Sequence, residues 1–334
     1  MVYIYKKIIG KKPYYYLRIS KKVKDKVIVK DIAYLGDDIA EVQRKLDNLT
    51  SYKSEIRNSY RNIKRFIESE YYLKKIKEKK LKKNQYISKE ILEEIEAIRL
   101  HYNDRFLKLD EKTKEEAYTN FLVDFAFNTT SIEGNTITLL EAYKLLKENL
   151  TPNNRTLREV YDLQNTEKVF FEILKTKKDL NHDFIIDIHD KLLENIDKRK
   201  GYRTEDIRVF KSKFDPSPAK YVKADMEIIL KRYKENKEKM HPLLLAGIFH
   251  HKFEKIHPFF DGNGRTGRIL MNYIMIKNNY PPFLIKKSRR KEYLDSMSRA
   301  DNLGLNEVNQ KDYGVLMAYL ASEMIQSYWN SFLV

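Results

Sequence analysis

The sequence predicts a mainly α-helical protein with a small antiparallel β-sheet at its amino end. The sheet is indicated by three short segments rich in β-branched and aromatic residues, at 2–8, 13–19 and 26–35. Gly10 and a lysine-rich stretch separate them, and Gly36 ends the third. Because three strands need a partner to cover one face, we expect helices to pack against this sheet.

The helical part of the prediction rests on periodicity. From Asp37 onward, apolar residues recur at the spacing of one helix face, and glycine and proline are sparse until Gly201. Between Gly201 and about Lys223 this period is lost in a stretch with two prolines and the β-like run "IRVF". We interpret that stretch as a β-hairpin flap set into a helical domain.

Composition limits the class of protein further. The 334 residues include no cysteine, which excludes disulfides and thiolate metal sites. The amino end lacks the apolar core of a signal peptide, and no apolar run reaches the length of a membrane span. We therefore expect a cytoplasmic protein.

The net charge of +17 is concentrated in two regions. Residues 1–30 hold ten Lys or Arg against Asp25, and residues 71–90 hold eight Lys against Glu78 and Glu90. A solvated lysine-rich surface is the favoured interpretation. Attraction of nucleic acid or an acidic partner is the alternative.

The stretch "DGNGRTGR" at 261–268 matches the glycine spacing of dinucleotide-binding loops. Such a loop needs a strand before it and a carboxylate about 20 residues after it. Here the preceding segment has helical period, and no Asp or Glu occurs from 262 to 291. The context opposes a dinucleotide site, and it opposes a kinase glycine loop for the same lack of strands.

The chemistry of the loop points instead to several phosphates. A glycine turn followed by a helix start offers backbone N–H groups and a partial positive charge to anions. Arg265 and Arg268 are three apart, so both lie on one side of the first helical turn. His257 can act as a general base, and Asp261 is a ligand suited to Mg²⁺ bridging phosphates.

The residues "HPFFDGNGRTGR" at 257–268, the signature loop, resemble the Fic family pattern H-P-F-x-[D/E]-G-N-[G/K]-R-x-x-R without departure. The resemblance extends over about 110–300 and implies a Fic-type helical bundle. It also implies transfer of AMP from ATP to a Ser, Thr or Tyr hydroxyl of a target protein. Gly264 stands where the family's phosphotransferase variant has Lys, which favours AMP transfer.

The resemblance implies a role for each residue of the loop. His257 would be the general base and Asp261 the Mg²⁺ ligand. Nucleotide phosphates would be bound by five residues: Gly262, Asn263, Gly264, Arg265 and Arg268, the last at the γ-phosphate.

A second segment, "TTSIEGNTIT" at 129–138, resembles the Fic inhibitory motif [S/T]-x-x-x-E-[G/N], with Thr129, Glu133 and Gly134 at its fixed positions. The resemblance implies a subclass with an N-terminal inhibitory helix, in which Glu133 pairs with Arg268 and obstructs the γ-phosphate. A de-AMPylating or bifunctional enzyme, with the same glutamate aligning a water, is the alternative.

These observations divide the chain into three parts. We predict a basic β-module at 1–36, a lysine-rich helical connector at 37–110 and a Fic domain at 111–334. The Fic domain would contain the inhibitory helix at about 118–134 and the flap at about 203–223.

Two other functions are suggested by parts of the sequence. The dipeptides His182-Asp183 and His189-Asp190 suggest a metal phosphohydrolase, but His189 is better explained by an amphipathic helix of the Fic core. A nucleic-acid-binding regulator would use lysines and base-stacking tyrosines of the sheet: Tyr3, Tyr5, Tyr14, Tyr15 and Tyr16. The sheet could otherwise dock the target or form a homodimer.

Overall fold

A computed structural model of the protein describes residues 1–208 and 214–333. The amino end forms the expected antiparallel sheet, with strands β1 Val2–Ile9, β2 Lys12–Val23 and β3 Lys26–Gly36 in that order. The predicted mainly helical fold with a small amino-terminal sheet is therefore confirmed.

Within the described ranges the rest of the chain is dominated by thirteen α-helices. They are α1 Ile39–Asp47, α2 Lys53–Asn58, α3 Tyr60–Lys77, α4 Lys89–Asp104, α5 Glu111–Ile132, α6 Leu139–Glu148, α7 Leu157–Lys175, α8 His182–Leu192, α9 Val222–Asn236, α10 Pro242–Ile256, α11 Asn263–Lys277, α12 Arg290–Ser298 and α13 Gln310–Ser331.

The sheet packs one face on helices α1 to α3. Alternate residues of a strand point to opposite faces, so Leu17 and Tyr15 are buried on the same side. They pack with Val42 of α1 and Ile63 of α3 in a small core of their own. The opposite face of the sheet stays open to solvent.

The larger core surrounds the hairpin of α10 and α11, which also contacts α8, α9 and α13. Phe253 on α10 and Ile269 on α11 are fully buried there. Helix α4, which the sequence assigned to the connector, contributes Ile95 and Ile98 to this same core. The central hairpin is therefore held on several sides, which fixes the loop between its two helices.

Local capping explains where the helices before that hairpin begin. Asp110 accepts a hydrogen bond from Thr113 N at the start of α5. Thr138 and Glu141 form a capping box on α6, and Thr156 and Glu159 form another on α7. Helix α5 begins at 111, seven residues before the inhibitory helix predicted from the sequence.

The predicted flap lies partly outside the described residues, which leave out 209–213. The described parts of the segment, 203–208 and 214–223, contain a short 3₁₀ helix at Ala219–Tyr221 and no strand. In the described part of the chain, no helix combines the length and apolarity needed to cross a bilayer.

Candidate active site

The signature loop connects the end of α10 to the start of α11. His257 ends α10 in a left-handed conformation (φ 53°), and Gly262 precedes α11 in the same region (φ 73°). The Asn263 side chain closes the loop, since its Oδ1 accepts from Phe259 N and its Nδ2 donates to Phe259 O, both at 2.9 Å. The amide of Asn263 therefore shapes the loop by closing it on the backbone of Phe259.

His257 has one ring nitrogen engaged by the backbone. Its Nδ1 lies 3.2 Å from the Glu254 carbonyl oxygen, which can only accept, so Nδ1 carries the proton in the neutral ring. Nε2 is then an acceptor. Burial lowers the pKa of His257, and the Glu254 carbonyl opposes this only in part. The ring is thus neutral at pH 7, which is the form a general base needs.

The backbone of His257 is fixed by Arg203, a buried residue at the start of the flap segment. Arg203 Nε donates to His257 O at 2.8 Å, and Arg203 N donates to Pro258 O at 2.9 Å. The same guanidinium donates to the carbonyls of Glu205 and Ser217. One side chain therefore connects the signature loop to two parts of the flap segment.

Arg268 projects from the second turn of α11 toward the end of α5. Its Nη2 lies 2.6 Å from Glu133 Oε1, and its Nε donates to Thr129 Oγ1 at 2.7 Å. Nη2 also donates to the Thr129 carbonyl at 3.1 Å. Burial alone would raise the pKa of Glu133, but the charge of Arg268 holds it below its ordinary value. The pair is therefore ionised at neutral pH.

The end of α5 is itself held in place. Arg290 Nε donates to the Ile132 carbonyl at 2.8 Å, which satisfies one of the carbonyls left open at the helix end. The turn that follows is bonded to α7, where Glu159 Oε1 accepts from Thr136 N at 2.8 Å. Glu133 therefore sits on a firmly bonded helix terminus.

Gly264, on the first turn of α11, lies directly under the Glu133 carboxylate. A Cβ added at 264 would approach Glu133 Cδ to 2.9 Å and Arg268 Nη1 to 3.0 Å. The first distance is shorter than real Cβ contacts allow, and the second is tighter than nearly all of them. The absence of a side chain at 264 is what lets the carboxylate lie over the helix start.

Asp261 and Arg265 are both engaged by α7. Asp261 pairs with Arg158, and Arg265 pairs with the buried Asp162. Asp261 Oδ1 also accepts from Gly262 N at 2.6 Å. Burial would raise the pKa of Asp261, but Arg265 and Arg158 lower it below its ordinary value. The guanidinium of Arg265, predicted to bind phosphate, is thus occupied by a carboxylate in this state.

A buried polar group lies behind Arg268. His250 Nε2 is 2.5 Å from the Tyr293 hydroxyl, while His250 Nδ1 and Glu254 Oε1 are 4.0 Å apart. In the described part of the chain, neither His250 Nδ1 nor Glu254 Oε1 has a hydrogen-bond partner. Burial raises the pKa of Glu254 to about 8, although Arg268 opposes the shift. Glu254 is therefore largely protonated at neutral pH.

A cavity of about 540 Å³ is lined by His257, Asp261, Arg268, Glu133 and Glu254, among others. Its basic end contains the signature loop, Glu133 and Arg268, and its other end is formed by Leu294, Met297 and Asp301. The second end is fixed to α10, because His251 Nε2 contacts Asp301 Oδ1 at 3.2 Å. The cavity lining thus combines charged with apolar side chains, as small-molecule sites commonly do.

The side chains around the cavity determine whether Mg²⁺ could be held there. No cluster of three or more His, Cys, Asp or Glu side chains that could hold a metal occurs in residues 1–208 and 214–333. Asp261 is a single ionised carboxylate that lines the cavity with one third of its side chain exposed. One carboxylate suits Mg²⁺ that takes its other ligands from phosphates and water. The residues present therefore fit a substrate-bridging ion.

The two His-Asp dipeptides support the loop or the surface. His189 stacks on Phe259 at 3.6 Å, and its Nε2 lies 3.1 Å from the Asp261 carbonyl oxygen. His182 bonds Tyr202 and Glu227. The placement of His189 agrees with the predicted helix of the core, since it helps to position the signature loop.

Sequence reasoning missed Arg203, Arg158 and Asp162. Arg158 and Asp162 are four apart on α7, so they share a helix face. That spacing could have suggested a paired role, but nothing in the sequence connects them to a loop about 100 residues later. Arg203 gives no signal beyond a charged residue after Gly201.

The chain is similar to known proteins in both sequence and fold. Residues 179–275 match the Fic/DOC family model. "Protein adenylyltransferase Fic" of Drosophila ananassae is 28% identical over 200 residues, which are 57% of this chain and 38% of that protein. The protein of the same name from Culex quinquefasciatus is 30% identical over 213 residues, 60% of this chain and 40% of that one. The chain thus spans about two fifths of the length of these relatives.

Solved structures show the same fold. A Fic domain containing signalling protein from Bacteroides thetaiotaomicron superposes with a TM-score of 0.64 at 24% identity, covering 70% of this chain and 94% of that one. Fic-1 from C. elegans superposes with a TM-score of 0.58 at 25% identity, covering 72% and 70%.

Proposed function

Because residues 179–275 of this chain match the Fic/DOC family model, we propose that the protein is an adenylyltransferase. It would transfer AMP from ATP to a hydroxyl side chain of a target protein. The observation that carries the proposal is His257, whose acceptor nitrogen shares one cavity with the anion-binding start of α11. The relatives named protein adenylyltransferase support the same activity.

The proposed reaction forms one bond and breaks one. The hydroxyl oxygen of the target attacks the α-phosphorus of ATP, and the bond from that phosphorus to the bridging oxygen of the β-phosphate breaks. Pyrophosphate leaves, and the hydroxyl proton moves to His257 Nε2. The tautomer fixed by the Glu254 carbonyl places the acceptor on the correct nitrogen for this step.

The phosphates would lie along the amino end of α11. Gly262, Asn263 and Gly264 line the cavity there, and the free backbone N–H groups of a helix start, together with the helix dipole, favour negative charge. Asp261 would hold Mg²⁺, which supplies charge neutralisation to the α- and β-phosphates when bound. Arg158 would have to release Asp261 for this, and its side chain, 57% exposed, has room to do so.

We further propose that Glu133 holds the enzyme in an inactive state. The Arg268 donors that a γ-phosphate would need are directed at Glu133 and Thr129. An ATP molecule bound beside this pair would have its γ-phosphate displaced and its α-phosphorus out of line with the hydroxyl. Loss of alignment alone is enough to suppress a reaction of this kind.

The test measures self-AMPylation by intact-mass spectrometry with ATP and Mg²⁺. Glu133→Gly is expected to add adenylyl groups at least about tenfold faster than the unaltered protein. His257→Ala in the Glu133→Gly background is expected to lower the rate by about 10²–10⁴-fold, the usual contribution of a positioned base. Transfer that survives the loss of His257 would disprove the proposed mechanism.

Glu133→Gln is the matched control for the inhibitory contact. It removes the charge but leaves the backbone at the end of α5 unchanged. Its rate should therefore lie between those of the unaltered protein and of the Glu133→Gly protein. A Glu133→Gly protein no faster than the unaltered one would disprove the inhibition while leaving the transfer reaction open to its own test.

A further inference from the structure

The solvent-facing side of the amino-terminal sheet carries five tyrosines, which we name the tyrosine face. They are Tyr3, Tyr5, Tyr14, Tyr16 and Tyr34. The strand register pairs Tyr5 with Tyr16 and Tyr16 with Tyr34, which makes one row of rings across all three strands. Paired residues of antiparallel strands point to the same face, so the row lies on one surface.

The rings are grouped closely; Tyr34 is exposed, and Tyr3, Tyr5, Tyr14 and Tyr16 are half-buried. The Tyr34 ring centroid lies 5.3 Å from that of Tyr16 and 6.5 Å from that of Tyr14. The Arg18 guanidinium lies 3.5 Å above the Tyr5 ring. Tyr34 is 53% exposed, whereas Tyr15 on the other face is 3% exposed and belongs to the core. Tyr15 is therefore not available for base stacking, and Tyr34 takes its place.

Positive charge surrounds these rings. Residues 1–36 contain ten Lys or Arg and two Asp, and one of those acids, Asp31, is bound by Arg18. Eight of the lysines are exposed: Lys7, Lys11, Lys12, Lys21, Lys22, Lys24, Lys26 and Lys30. A sheet with such a balance attracts a polyanion.

We propose that the tyrosine face is a binding site for single-stranded nucleic acid. Aromatic side chains bind unpaired bases by stacking, and neighbouring lysines follow the phosphates of the same strand. A duplex hides the faces of its bases, so it could use only the charge. An acidic protein would likewise gain little from accessible rings, so rings and lysines together favour a single strand.

The experiment uses the full-length protein and fluorescence anisotropy. The probes are a labelled oligothymidylate, a labelled oligouridylate, a DNA duplex of equal length and a labelled polyglutamate. Tyr16→Ala combined with Tyr34→Ala should weaken binding of the single strands by about tenfold or more, since each stacked ring contributes substantially. The two single-stranded probes distinguish DNA from RNA as the preferred strand.

Two matched variants separate stacking from other effects. Tyr16→Phe combined with Tyr34→Phe keeps both rings and should retain the affinity of the unaltered protein. Tyr143→Ala removes a ring that is 46% exposed on α6, away from the sheet, and should also retain it. His257→Ala should bind the strands unchanged, so this site is tested independently of AMP transfer.

Three results would overturn the proposal. The first is that no single-stranded probe binds. The second is that the paired alanine variant binds single strands as well as the unaltered protein does. The third is that polyglutamate or duplex binds as tightly as the single strands and loses the same affinity in the alanine variant, which would identify a purely electrostatic surface.

Discussion

Glu133 and Arg268 are separated by 135 positions in the sequence, yet their carboxylate and guanidinium lie 2.6 Å apart. The contact joins the residue that caps the carboxyl end of α5 to the second turn of α11. It is possible because three features coincide: an ordered end of α5, a threonine that orients Arg268, and a glycine under the carboxylate. Each of these features can be removed separately.

The glycine is tested by a double-mutant cycle. Gly264→Ala should lower the free energy of unfolding by about 1–3 kcal/mol, because the added methyl group overpacks against Glu133. In the Glu133→Gly background the same change should be neutral or stabilising by about 0.5–1 kcal/mol, since alanine favours a helix over glycine. Urea denaturation of the four proteins measures the coupling. Equal effects of Gly264→Ala in both backgrounds would contradict the contact.

The threonine is tested by an isosteric change. Thr129→Val removes the hydroxyl that accepts from Arg268 Nε and leaves that buried charged donor unsatisfied. We expect a loss of about 1–3 kcal/mol in the free energy of unfolding. Thr119→Val on the same helix is the control, because Thr119 Oγ1 bonds only the Glu115 carbonyl of its own helix. A control as damaging as Thr129→Val would remove the case for an orienting role.

The state of His257 predicts the pH dependence of catalysis. Burial lowers the pKa of this base from its ordinary 6.5. Since only the neutral ring accepts a proton, kcat/KM of the Glu133→Gly protein should rise with pH, with a midpoint below 6.5, and then level off. Rates of self-AMPylation in a series of buffers check this. A rising limb centred above 6.5 would show that another group limits the reaction.

Glu254 predicts a pH dependence of stability. Burial raises the pKa of its carboxyl from 4.5 to about 8, so the folded protein keeps a proton that the unfolded chain releases between these values. Stability therefore falls as pH rises through this window. Glu254→Gln should lose less stability than the unaltered protein between about pH 5 and about pH 8.

Thermal unfolding at several pH values measures the difference. Glu55→Gln, on the exposed part of α2, is the control and should follow the unaltered protein. If Glu254→Gln and the unaltered protein lose stability in parallel, the buried carboxyl is not the group that titrates.

The strands and helices could be predicted from the sequence because local chemistry determines them. The strands at 2–8, 13–19 and 26–35 were found within a few residues of their observed bounds, since alternation and β-branched content are local signals. A helix start was expected after the glycine turn, and α11 begins there at Asn263. The assignment of Tyr15 beside Tyr14 and Tyr16 as a stacking residue was wrong, because adjacent strand residues face opposite sides.

Ion pairs between distant segments could not be predicted from the sequence. Arg158 with Asp261 and Asp162 with Arg265 depend on how α7 packs beside the signature loop, and no local pattern encodes that approach. The engagement of Arg265 by a carboxylate was invisible for the same reason. The roles inferred for His257, Asp261 and Arg268 came from a resemblance and stay predictions until they are measured.

Arg203 has a consequence for how a target would be sensed. Its guanidinium donates hydrogen bonds to the carbonyl of His257 and to the carbonyls of Glu205 and Ser217, which both lie in the flap segment. One side chain thus fixes the position of His257 relative to the flap segment. A target chain would lie along that segment, and His257 would accept the proton of its hydroxyl. A protein that displaces Glu205 or Ser217 on arrival would therefore also act on the backbone of His257.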